Sequence, residues 1–352
     1  YPLDAASNSG SFTGLLADPL VVEPLLGSRG QSWLWSGIYL LLLLLMAACA
    51  LTIYRDRSDV VDAEDAAALP EDDASPALAR KLRWIALAAV PSGLMLSTTT
   101  HLTTDMMAIP LLWVIPLSIY LLSFSVAFAT RRGLANLVVR LSPYIILALG
   151  GTALIAESRS PLLLMAASLL LLFTIAVTLH SLLYEDRPNP RYLTQFYLLM
   201  SVGGVLGGIF CALMAPVLFN WLYEHPLLIV GTALLIPQRS LFSALHRLRS
   251  TEKTVRSAQI AFAALILCAT LYYLYHHGRL PNDQMALAVV MLLVVGIAMV
   301  GNRAAFIMLL LATMAVADGW QKIQPRLDGT RTRSYFGIYT VYPDYDEHVQ
   351  KL

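Results

Sequence analysis

The chain has 352 residues and a formal net charge of +1; 57% of it is hydrophobic and only 13% charged. A soluble domain carries about 25% charged residues, so half the usual polar coat is missing, and a mean hydropathy of +0.65 excludes an ordinary soluble enzyme. Near-zero net charge leaves no electrostatic case for a nucleic-acid partner. Cys49, Cys211 and Cys268 all lie in apolar runs without a CxxC, so neither a disulfide framework nor a zinc site is expected. No metal and no cofactor are expected.

A hydrocarbon core about 30 Å thick demands apolar runs near 20 residues from each spanning helix. Residues 1–26 form a weak candidate, interrupted by Asp4, Asp18 and Glu23. The first clear span is 32–54. An acidic stretch follows at 55–82, with Asp56, Asp59, Asp62, Glu64, Asp65, Glu71, Asp72 and Asp73 separated by Ala and Pro. It cannot bury apolar surface and reads as a solvated linker. Further spans are expected at 83–102, 107–129, 138–156, 161–184 and 192–219. The run at 223–237 is short. Residues 239–256 carry Arg239, His246, Arg247, Arg249, Lys253 and Arg256 and read as a basic interfacial helix. Spans at 257–276, 284–301 and 303–318 complete the set, the last two divided only by Gly301, Asn302 and Arg303. The fold class is therefore all-α: a polytopic transmembrane bundle of about 10–11 membrane helices.

Lys and Arg set the orientation. Alternate connections on one side hold sixteen of the 24, those on the other side three, and the stretch after 319 the remaining five. The basic side, with 55–82, is expected to be cytoplasmic and the tail to emerge outside.

Several stretches, in order along the chain, resemble one family. They are Ala5-Ala6-Ser7-Asn8 with Val22-Glu23-Pro24-Leu25-Leu26; Val90-Pro91-Ser92 and Thr98-Thr99-Thr100-His101-Leu102-Thr103-Thr104-Asp105; and Ile109-Pro110-Leu111-Leu112-Trp113-Val114-Ile115-Pro116-Leu117. Arg187-Pro188, Leu193-Thr194-Gln195-Phe196-Tyr197-Leu198, Gly203-Gly204-Val205-Leu206-Gly207-Gly208 and Arg333-Ser334-Tyr335-Phe336-Gly337-Ile338-Tyr339 continue the series. This pattern is similar to bacterial inner-membrane proteins in which a major-facilitator-like region is fused to a spermidine-synthase-like domain. Leu182 and Gln195 depart from it, where the family often carries acidic residues.

The resemblance implies that 1–54 ends a first helical half preceded by further sequence and that 55–82 is the linker between halves. It makes 83–237 the second half, 238–256 the basic loop and 257–318 additional membrane helices. Residues 319–352 would then open the synthase-like domain, with its cofactor and amine sites downstream, so no catalytic residue is carried over and the chain itself is not expected to be an enzyme. The expected partners are the lipid bilayer and, by the fusion context, a small cationic or polyamine substrate.

Three clusters invite functional readings. Thr99, Thr100, His101, Thr103, Thr104 and Asp105 stand at the outer end of a helix, with His101 and Asp105 four apart on one face. They read either as a substrate or proton site or as a hydrated helix end whose threonines bond back to helix carbonyls. His180, Glu185, Asp186, Arg187 and Arg191 sit at a cytoplasmic turn stiffened by Pro188 and Pro190. They read as an inner gate or, on a weaker demand, as charges that pin two helices together. Gly203, Gly204, Gly207 and Gly208 form overlapping GxxxG patterns that let a neighbouring helix approach closely. Two functions follow: a transporter-like region, or a membrane scaffold for a synthase-like domain. A carrier requires 83–102 and 192–219 to face each other across a polar path; a scaffold requires a closed bundle.

Overall fold

In the computed structural model the described residues are helical almost throughout. The structure describes residues 2–55, 75–106, 111–151, 160–238, 253–327, 331–335, 337–343 and 350–351. It divides into two compact units, Gly10–Ala77 and Tyr1–Ser9 with Leu78–Leu352.

Helix α1 (Pro2–Ala17) leads through a widened turn, Asp18–Val22, to a single helical turn, Glu23–Leu25. Gly27 separates this from α2 (Ser28–Arg55), whose 28 residues include no buried side chain. An apolar helix of that kind is unstable in water, whereas lipid solvates its side chains and its own ladder satisfies its backbone. Of the acidic linker expected at 55–82, residues 56–74 lie outside the described residues.

The larger unit contains α3 (Leu78–His101), α4 (Val114–Ala127), α5 (Gly133–Leu149), α6 (Pro161–Glu185) and α7 (Leu193–Ile209). After these come α8 (Glu224–Leu235), α9 (Lys253–His277), α10 (Asn282–Met299), α11 (Arg303–Met314) and α12 (Trp320–Leu327). Among the described residues, five segments are long and apolar enough to cross a membrane: Ser28–Arg55, Leu78–Thr104, Pro161–Glu185, Pro190–Leu218 and Lys253–His277. Helix α8, the counterpart of the 223–237 run, has only 12 residues, about 18 Å at 1.5 Å per residue and less than a bilayer core. Helix α5 starts at Gly133, five residues before the expected span, and 152–159 fall outside the described residues. Most of the basic loop does too, at 239–252.

Helix α3 is the hub, packed on α4, α6, α7 and α8. Trp84 and Phe196 meet edge to face at 5.1 Å and are fully buried. The α3–α7 crossing is closer than side chains would allow. A Cβ at Gly203 would lie 2.5 Å from the Ile85 carbonyl oxygen, and one at Gly207 would fall onto that of Ala89. Gly204 instead faces open space, and Gly208 has only ordinary contact with Leu96. Two bonds cross the seam: Ser92 Oγ donates to the Gly204 carbonyl at 2.9 Å, and Cys211 Sγ to that of Gly93 at 3.2 Å.

Helices α10 and α11 are divided at Gly301, whose φ of +114° only glycine adopts without strain. Asn302 then caps α11, accepting from Ala305 N–H, while its amide holds the Arg256 carbonyl and Gln259 of α9. At one end of the bundle three helices widen into π turns, Leu102–Met106, Phe210–Met214 and Ala315–Gly319. Beyond α12 the helical chain, which agrees with the all-α expectation, ends in short strands. Strands β1 (Arg331–Ser334) and β2 (Gly337–Thr340) form an antiparallel hairpin, and β3 (Tyr342–Pro343) pairs with β4 (Gln350–Lys351).

Candidate functional site

Helices α3 and α8 bring His101 and His225 together at the π-turn end. Their rings stack at 5.1 Å with 21° between planes, and both residues are buried. His225 Nδ1 lies 3.0 Å from Ser97 Oγ, which is also 3.1 Å from the Leu94 carbonyl. A hydroxyl has one proton; given to the carbonyl, it leaves only a lone pair for the imidazole. With that proton given to the carbonyl, the imidazole hydrogen sits on His225 Nδ1 and Nε2 is a bare acceptor. That Nε2 is buried with no hydrogen-bond partner among the described residues.

Beside it stands the most thoroughly desolvated ion pair described. Glu224 accepts from both ends of the Arg333 guanidinium, at 2.9 and 2.8 Å, and the two side chains are 1% and 5% exposed. Arg333 Nη1 also donates to the Trp221 carbonyl at 2.8 Å. A planar fork matched to a carboxylate satisfies both charges at once, which a buried pair requires. Tyr223 Oη and Arg331 both donate to the Lys322 carbonyl, at 2.8 and 3.0 Å. The hairpin is thus tied to the end of the bundle by side chains from both partners.

The residues of the threonine cluster have different fates. Thr99, Thr100 and Thr103 are half-buried and donate to the carbonyls of Met95, Leu96 and Thr99. Thr104 is exposed. The backbone of Asp105 lies in the π turn, but its side chain falls outside the described residues, as do 107–110.

At the opposite end the 180–191 cluster divides. His180 is buried away from the charges, with Nδ1 2.8 Å from Ser123 Oγ and its ring stacked on Phe124 at 3.7 Å. Ser123 Oγ also reaches the Tyr120 carbonyl at 2.6 Å. The logic of Ser97 and His225 repeats here, leaving a second bare, buried Nε2. Asp186 accepts from Arg80 Nε at 3.0 Å and lies 3.6 Å from Arg83; Trp84 donates to its carbonyl. Glu185 is 3.8 Å from Arg132. Arg132 and Arg187 cover the Tyr184 ring at 4.2 and 4.1 Å, and Arg191 lies 5.8 Å from Tyr192. These charges join α6 to the start of α3 and of α5.

Sequence reading passed over Glu224, His225 and Ser123. The available signal was Glu224-His225-Pro226 itself: two ionisable residues at the head of an apolar run must find partners or water. Ser123 carries no such signal, because lone serines are common in membrane helices. No family model matches the chain, and neither a curated protein nor a solved structure does.

Proposed function

We propose that this chain is the membrane region of a facilitator-like protein fused to a spermidine-synthase-like domain, and that its bundle anchors and positions that domain. The supporting observation is the Arg333–Glu224 pair. Arg333 opens the Arg-Ser-Tyr-Phe-Gly-Ile-Tyr motif that carries the resemblance, and the same residue is locked into the bundle. A flexible tether would have no use for a bidentate ion pair shielded from water, since leaving either partner alone there is costly. The direct α3–α7 backbone contact at Gly203 and Gly207 also favours a closed bundle over a path between those helices.

A carrier is the second reading, favoured by the bare Nε2 atoms of His225 and His180 and by π turns, which occur frequently at functional sites. In that reading the substrate is a small cation or polyamine, and the basic side of the bundle faces the cytoplasm.

One experiment separates them. The full-length protein is reconstituted in proteoliposomes and assayed for uptake of labelled spermidine, alongside pulsed-EPR distances between spin labels on α8 and on the downstream domain. Anchoring predicts no saturable uptake and a narrow distance distribution that broadens in Arg333→Met. Saturable uptake abolished by His225→Leu, with distances unchanged in Arg333→Met, overturns the anchor in favour of the carrier.

A further inference from the structure

Thr98 Oγ1 on α3, Ser168 Oγ on α6 and His225 Nε2 on α8 are each buried without a hydrogen-bond partner among the described residues. Their residues are 0%, 2% and 2% exposed. A native core keeps few such atoms, and each calls for an occupant. We infer that the three line a hydrated site that loads one proton onto the stacked His101–His225 pair.

Helical geometry brings them together. Trp84, near the start of α3, donates to the Asp186 carbonyl at the end of α6, while the turn that ends α3 packs on α6 again, so the two helices run in opposite directions. Thr98 is 14 residues beyond Trp84 and His101 is 17, about 21 and 26 Å of rise. Ser168 is 18 residues before Asp186, about 27 Å. Both hydroxyls lie on the inner stripes. Thr98 follows Pro91 and Trp84 at seven and fourteen residues, and Ser168 precedes Ile175 and Leu182 at the same intervals. Trp84, Ile175 and Leu182 belong to the core that α3 and α6 share. His225 joins this level through Ser97 and the ring of His101.

The chemistry selects a proton. His225 Nδ1 is committed to Ser97, so Nε2 is the atom that can take one. The N–H formed there needs an acceptor. The hydroxyl oxygens of Thr98 and Ser168 supply lone pairs through a buried water, which makes about three bonds to polar groups of this kind. Two imidazolium rings 5.1 Å apart would repel, so the pair loads once.

The neighbouring groups are engaged or distant. Glu224 is bound by Arg333, the Cys211 thiol donates to the Gly93 carbonyl and Tyr223 to that of Lys322. On α6 the nearest titratable group is His180, 12 residues from Ser168; on α5 it is Tyr144, six residues before Gly150; on α11 it is Arg303, at the end away from the π turn. The side chains of Asp105 and Asp318 lie outside the described residues. Such a site is open to an anchor and a carrier alike.

The test places the whole chain, with ring-labelled histidine, in phosphatidylcholine nanodiscs and follows nitrogen NMR from about pH 9 to about pH 5, which spans the ordinary histidine range. One imidazolium per chain should appear that His225→Gln and His101→Gln each remove, distinct from the exposed His276 and His277, and it should receive magnetisation from water. Thr98→Val with Ser168→Ala deletes both hydroxyls and no charge. It should lower the proton affinity about tenfold, the worth of one hydrogen bond to a charged group, and abolish the transfer from water. A proton on both rings, or on neither ring anywhere in that range, overturns the proposal. So does loading that is unchanged in the folded Thr98→Val, Ser168→Ala protein.

Discussion

Arg333 and Glu224 are 109 residues apart in sequence, yet the guanidinium of one and the carboxylate of the other meet along both parallel bonds with almost no exposure to solvent. Removing one member leaves the other charged and buried. Arg333→Met should therefore destabilise the docked end by about 3–5 kcal/mol, read as a lowered unfolding midpoint in detergent and faster amide exchange in 331–340. Combining it with Glu224→Gln should recover a large part of that loss. Equal, additive losses would mean that the two side chains do not stabilise each other.

Gly207 and Gly204 are three residues apart and should respond to the same substitution with opposite sign. Gly207→Ala drives a methyl into the Ala89 carbonyl and should cost about 1–3 kcal/mol by overpacking. Gly204→Ala meets open space and should be neutral, or stabilising by up to about 1 kcal/mol through helix propensity. Thermal unfolding of the two variants side by side decides it.

The Asp186 contacts predict a smaller effect. Arg80 is 41% exposed at this pair, so water and salt screen it, and Asp186→Asn should cost about 1 kcal/mol or less. The difference from the parent should shrink further in 1 M salt, where the screening length falls to about 3 Å. A large, salt-independent loss would show that the Asp186 charge supports more than this helix junction.

Histidine tautomers offer a spectroscopic check. With Ser97 and Ser123 donating to helix carbonyls, nitrogen NMR of the labelled protein in lipid should find the proton of His225 and His180 on Nδ1. In Ser97→Ala the His225 signal should change, because its donor loses its acceptor, at a cost of about 1–3 kcal/mol. Finding the proton on Nε2 instead would reverse the assignment and remove the bare acceptors from the carrier reading.

The helices were legible for one physical reason. Each spanning segment must satisfy its own backbone and present apolar side chains on every face, so hydropathy alone marks Ser28–Arg55, Pro161–Glu185 and Lys253–His277. Partner choice was not legible. GxxxG spacing offers two overlapping registers, and only the position of α3 selects Gly203 and Gly207. Asp186 looked able to pair with its near neighbours, but Arg80 and Arg83 claim it from 106 and 103 residues earlier. The site at the π-turn end was missed because its members come from separate elements. His101 looked coupled to Asp105 by helical spacing, whereas the ring stacked on it belongs to His225. Arg333 stood out only as part of a motif, with nothing nearby to show that it complements an acid on another helix.

The long separation of Glu224 from Arg333 also sets an order of assembly. At about 5–20 residues per second, roughly 5–20 s of synthesis pass between the two. Throughout that interval α8 has a carboxylate without its cation, and the end of the bundle cannot close. Any chaperone or insertion factor that shields nascent membrane helices has that window in which to act, and a ribosome pausing inside it would prolong the time that end stays open.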